Sequence, residues 1–149
     1  MLKKLFVVSF VVLGLGCLSL YAQIREKKPA LPKDIARFGN EYPMDLFKVP
    51  AVKTRLRTLL GKSYNSFMEA IDTQEPMEKN GNFLIGSGCA RGICTIYEAV
   101  IVIDLSAKTI HCGIVNTSAK TKYRSFSEAP NDKPAILENW ANQLLKEEN

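Results

Sequence analysis

The chain has 149 residues, a formal net charge of +5, four cysteines and a single histidine. That length fits one domain around one hydrophobic core. The mild basicity lacks the aromatic-basic stacking pattern of a nucleic-acid binder, and one histidine leaves little material for Ser-His or Cys-His nucleophilic catalysis.

The N-terminus reads as an export signal. Lys3 and Lys4 precede an apolar stretch from Leu5 to Ala22, the layout of a secretory signal peptide. Cleavage is expected after Ala22, giving residues 1–22 as signal and Gln23 as the new N-terminus. Lipid attachment at Cys17, preceded by Leu13-Gly14-Leu15-Gly16, is the alternative, and an uncleaved anchor is a third. Removing 22 residues from 149 leaves 127, and loss of Lys3 and Lys4 lowers the net charge from +5 to +3.

Residues 23–50 contain Pro29, Pro32, Pro43 and Pro50. Proline at that density interrupts helices and ladders, so the stretch reads as an extended arm or linker, with Phe38, Tyr42, Met44, Leu46 and Phe47 available to pack on the surface. Residues 51–149 read as the domain. Val52, Leu56, Leu59 and Leu60 recur at helical spacing, and Gly61 suits a helix stop. A second helix is expected over 63–72, with Ser63 as N-cap and Tyr64, Phe67, Met68 and Ile71 on one face.

Strands follow. Phe83 to Gly86 is a short candidate. Thr95 to Leu105 is the strongest, rich in β-branched residues, with Tyr97, Ala99, Ile101, Ile103 and Leu105 facing the core. The other parity holds Glu98 and Asp104 with valines between them, a partly covered face. A turn over 106–108 leads back through Thr109 to Asn116 as a hairpin, and Thr121 to Phe126 is a further strand. Pro134 suits the first turn of a closing helix, with Ile136, Leu137, Trp140, Ala141 and Leu144 as its apolar stripe. The fold class is α+β: an antiparallel meander covered by helices on one face, with a disulfide-closed loop between two strands.

That loop is Cys89-Ala90-Arg91-Gly92-Ile93-Cys94. Export permits a disulfide, and close spacing favours Cys89 with Cys94. A Cys94–Cys112 bond is the main alternative, and Cys112 otherwise reads as a small core residue. Four intervening residues on a strand-to-strand loop differ from the two that redox pairs use, so the bond reads as structural. His111 and Cys112 are strand neighbours pointing to opposite faces, and no spacing matches a structural zinc site; neither metal nor cofactor is expected. Glu98 and Asp104, six residues apart on one strand, stand roughly 20 Å apart, too far for paired glycosidase carboxylates. The chain is expected not to be an enzyme. Lys120, Lys122 and Arg124 share one face of the expected strand, either a charged edge against aggregation or a basic face for anionic cell-envelope polymer. Arg91 is the one charged side chain inside the loop, placed to enter a partner's cleft from a pre-organised loop.

The segment Gly61-Lys62-Ser63-Tyr64-Asn65-Ser66-Phe67, the loop Gly88-Cys89-Ala90-Arg91-Gly92-Ile93-Cys94, the strand from Glu98 to Asp104 and a closing helix with Trp140 together resemble the inhibitor of vertebrate lysozyme (Ivy) family of bacterial envelope proteins. The likeness runs from Val52 to Leu145. It implies a periplasmic or secreted α+β domain without catalysis, whose disulfide-bound loop plugs a lysozyme active-site cleft. The resemblance implies a lysozyme as partner; a lytic transglycosylase is the other enzyme target expected, with no nucleic acid, a membrane only if Cys17 is lipidated, and a homodimer left open. In that family a histidine at the third place inside the loop meets the catalytic carboxylates. Here that place is Gly92, and Arg91 stands one residue earlier.

Overall fold

The structure is a computed structural model describing residues 28–146. The expected signal segment, its cleavage point and Cys17 lie outside the described residues. The helices are α1 (Pro43–Phe47), α2 (Pro50–Leu60), α3 (Tyr64–Ala70) and α4 (Ala135–Lys146), with a short 3-10 turn at Ile35–Phe38 and another at Gly61–Ser63. The strands are β1 (Thr73–Gln74), β2 (Glu78–Asn80), β3 (Phe83–Cys89), β4 (Tyr97–Asp104), β5 (Thr109–Asn116) and β6 (Tyr123–Ser127). They form one antiparallel sheet in the order β1-β3-β4-β5-β6, with β2 also pairing β3.

The β4–β5 hairpin is the centre of the sheet, pairing Tyr97 with Asn116 at one end and Asp104 with Thr109 at the other. Both parities of β4 are apolar over its middle, so polarity alone does not fix its register. The turn does. The Asp104 carboxylate accepts hydrogen bonds from the backbone N–H groups of Ser106 and Ala107, each at 2.8 Å. Lys108 adopts a left-handed φ of 56° that returns the chain.

Each parity buries against different helices. Tyr97, Ala99, Ile101, Ile103, Ile110, Cys112 and Ile114 share one core with Val52, Leu56 and Leu60 of α2, Phe67 of α3 and Leu46 and Phe47 of α1. Val100 and Val102 lie on the opposite face under Leu137, with Trp140 and Ile136 of α4 packed beside them. The expected cover on one face is therefore supplied by α1 to α3, and the other face takes α4. The cause is the valine pair, which leaves an apolar floor that water would otherwise meet.

The described part of the expected arm is folded. Leu31, Ile35, Phe38, Leu46 and Phe47 are all buried in the larger core, while Tyr42 and Met44 stay exposed. The prolines do not prevent this, because Pro43 and Pro50 open helices α1 and α2, where the missing N–H has no intrahelical partner to lose.

A buried ion pair joins these layers. Arg55 of α2 is 6% exposed and the Glu128 side chain 4%. The guanidinium holds both carboxylate oxygens and also donates to the Lys108 carbonyl at 2.7 Å, and Glu128 accepts the Ile110 N–H at 2.8 Å. Burial pushes the Glu128 carboxyl up, yet the bonds from Arg55 and Ile110 and the Arg55 charge outweigh it and hold it below its usual value. The gain is geometric: α2 is clamped to the end of the β4–β5 hairpin.

Candidate functional site: the braced loop between β3 and β4

Cys89 ends β3 and is bonded to Cys94, with Cα atoms 4.9 Å apart, while Cys112 is a buried free thiol. Of the two pairings open from spacing, the first is the one formed. Burial raises the Cys112 thiol well above its ordinary pKa, which keeps it protonated and unreactive.

Two consecutive turns build the loop. The Ile93 N–H donates to the Ala90 carbonyl at 3.1 Å and the Ile96 N–H to the Ile93 carbonyl at 3.1 Å. The third residue of the first turn is Gly92 at φ 79°, and that of the second is Thr95 at φ 76°. Glycine takes that conformation without strain. For β-branched threonine it costs on the order of 1–3 kcal/mol, and the Thr95 N–H is held by Glu98 Oε1 at 2.9 Å. Glu98 is thus a loop brace, and Asp104 is the hairpin-turn acceptor, separate roles along one strand.

The foot of the loop is anchored on several sides. Ala90 is 3% exposed and its N–H bonds to the Tyr97 carbonyl at 2.8 Å. The Tyr97 hydroxyl donates to the Ser66 carbonyl of α3 at 2.8 Å, and the Thr117 N–H donates to the Ile96 carbonyl at 2.9 Å. On the β3 side Thr73 pairs with Cys89, and β1 lies so close that a Cβ at Gly88 would stand 2.5 Å from the Thr73 carbonyl oxygen.

Beyond that foot the loop is exposed from Arg91 to Ile96. Ile93 is 43% and Ile96 40% exposed, and they are two of the four large exposed apolar side chains among the described residues. By its β-branched surroundings Ile96 is expected in the strand. The structure puts it in the loop, because the left-handed Thr95 delays the start of β4, and no residue-type signal marks that. Likewise β3 runs on past Gly86 to Cys89, its glycines making room for Pro43, Met77 and Thr73. Arg91 is not a solitary charge: its guanidinium pairs with the Asp72 carboxylate at 3.1 Å, with side chains 84% and 41% exposed.

The other candidates fall elsewhere. Cys112 faces the α2 core, while His111 faces α4's side, with its ring nitrogens bonded to Thr109 at 2.9 Å and Ser127 at 2.8 Å. Burial lowers the His111 pKa despite the nearby charges of Asp104, Glu128 and Asp132. Among the described residues no cluster of three metal-ligating side chains exists. Lys120, Lys122 and Arg124 do not share a strand face, since β6 begins at Tyr123 and only Arg124 lies in it. Arg124 instead donates to the Ser63 hydroxyl at 3.3 Å, and Ser63 makes no cap bond to α3.

A family model for the inhibitor of vertebrate lysozyme (Ivy) matches residues 51–147. The chain belongs to the Ivy family. No curated relative and no solved structure matches it. The match begins at α2 and spans α2, α3, the sheet and α4, so the braced loop lies inside the Ivy region. Membership indicates lysozyme inhibition as the general function and a lysozyme as the partner, in a family of inhibitors rather than enzymes. Ivy proteins are in general periplasmic or secreted, and among the described residues no helix is long and apolar enough to cross a membrane.

Proposed function

We propose that this Ivy-family chain inhibits a lysozyme, or a lytic transglycosylase of related chemistry, by inserting the Cys89–Cys94 loop into the active-site cleft. Arg91 and Ile93 are the side chains that enter. The observation that carries this reading is the exposed pair Ile93 and Ile96 on a loop that is closed, hydrogen-bonded at both turns and anchored at its foot. A soluble domain gains nothing from holding isoleucines in water on a rigid projection, whereas a cleft-filling contact does.

The chemistry fits a glycosidase cleft, which presents a pair of carboxyl groups flanking the scissile bond. The Arg91 guanidinium offers planar paired donors to a carboxylate, taking the part that the loop histidine plays in the family pattern. Ile93, two residues on, supplies apolar area. The remaining exposure of this side chain corresponds to about 1 kcal/mol on burial. Binding in the cleft makes the inhibition competitive with substrate. A chito-oligosaccharide occupying the cleft is therefore expected to displace the inhibitor from a lysozyme that it inhibits. Simultaneous binding of both would sink the insertion reading.

A further inference from the structure

Before the loop meets any target, its arginine already has a carboxylate. Asp72 sits between α3 and β1, directly before Thr73, the residue whose Cα partner is Cys89. That attachment fixes Asp72 beside the loop base. Its carboxylate and the Arg91 guanidinium are 3.1 Å apart at a site open to water on the arginine side. The resting loop thus carries a small copy of the contact it would make in a glycosidase cleft: guanidinium on carboxylate, with the acceptor belonging to the inhibitor itself.

We propose that Asp72 is an internal competitor for Arg91, a latch that must release the guanidinium before it pairs with a target carboxylate. This rests on the insertion reading and specifies how that site is regulated. Two effects act in the same direction. Leaving Asp72 forfeits the resting pair, and a bared Asp72 carboxylate next to the loop base then faces an acidic cleft as a like charge. Because the pair is exposed, the latch is a light one, holding by a factor of about two to five. It therefore discriminates among targets: a cleft that offers a well-placed, desolvated carboxylate outbids Asp72, and one that offers only a solvated polar rim does not.

The test is a double-mutant cycle. Inhibition constants are measured for wild type, Asp72→Asn, Arg91→Ala and the double variant on a lysozyme that wild type inhibits, at low and high salt. Asp72→Asn keeps the shape of the side chain, and thermal denaturation of each variant verifies folding. Expected is about two- to fivefold tighter inhibition by Asp72→Asn, a gain that is smaller in the Arg91→Ala background, where only the like-charge effect remains, and that shrinks at high salt. Unchanged or weaker inhibition by Asp72→Asn, while Arg91→Ala still loses potency, overturns the latch and leaves the insertion reading standing. An equal gain in the Arg91→Ala background also overturns it, because the effect then runs through some other group. Arg91→Ala inhibiting as well as wild type, or no lysozyme inhibited at all, overturns the insertion reading and the latch together.

Discussion

Removing the Cys89–Cys94 bond separates what the loop does for stability from what it does for binding. The perturbation is the double substitution Cys89→Ser/Cys94→Ser. A ring of about six residues restricts the unfolded chain little, so its loss costs about 2 kcal/mol of stability. The fold survives that. The β3–β4 ladder still pairs Phe83 through Cys89 with Asp104 through Glu98, and the foot keeps its bonds at Ala90, Tyr97 and Thr117. Urea denaturation is expected to show that loss, and thermal denaturation a Tm lower by roughly 6–12 °C. Inhibition responds more strongly. Fixing a residue's backbone costs about 1–2 kcal/mol, so re-ordering Arg91 and Ile93 on binding weakens the complex by about 2–4 kcal/mol, roughly 30- to 1,000-fold. The assay is lysozyme inhibition by the double-serine protein at a temperature where it is fully folded. Inhibition within about threefold of the parent would refute the claim that closure pre-organises the loop. A chain that no longer folds would refute the claim that the bond is not what holds the domain.

Other consequences follow from the buried polar groups. Arg55→Ala leaves the Glu128 carboxylate buried without its main partner and should destabilise by about 3–5 kcal/mol in chemical denaturation, whereas Arg55→Met with Glu128→Gln should recover most of that. The Glu128 carboxyl is held low in the folded state, so its contribution is complete above the ordinary carboxylate pKa and is lost as pH falls through the folded value; Glu128→Gln should flatten that acid limb. His111 has the same sign for the opposite charge change. Its folded pKa is lowered by burial, so the unfolded chain binds the proton first and stability falls as pH drops below about 6.5, by at most about 1.4 kcal/mol per pH unit. A His111→Gln protein should lack that slope between pH 6.5 and 5.

The parts legible in the sequence were those governed by local rules. Alternation along β4 gave the faces of Tyr97, Ala99, Ile101 and Ile103, and Gly61 follows the last residue of α2 with a positive φ of 51° that suits glycine. The loop could be read from the spacing of Cys89 and Cys94 in a chain whose N-terminus reads as an export signal. What stayed hidden is long-range or conformational. Prolines at 43 and 50 look like breakers until they are seen at helix starts. The Arg55–Glu128 pair spans 73 residues of sequence, and Arg91 with Asp72 joins the loop to the end of α3. Neither follows from any periodicity. Nor does the left-handed Thr95, which moved Ile96 from the strand to the loop surface and so doubled the loop's exposed apolar content.

Whether Arg91 and Ile93 enter a lysozyme cleft is decided by alanine substitution at each. Wild type, Arg91→Ala and Ile93→Ala are assayed against a panel of lysozymes and lytic transglycosylases, with stability measured alongside. Expected are inhibition of at least one enzyme by wild type, a loss of about tenfold or more in Arg91→Ala and about fivefold in Ile93→Ala, and a stability change of no more than about 1 kcal/mol, since both side chains are exposed. Inhibition that survives both substitutions, or none by wild type across the panel, would contradict the insertion reading.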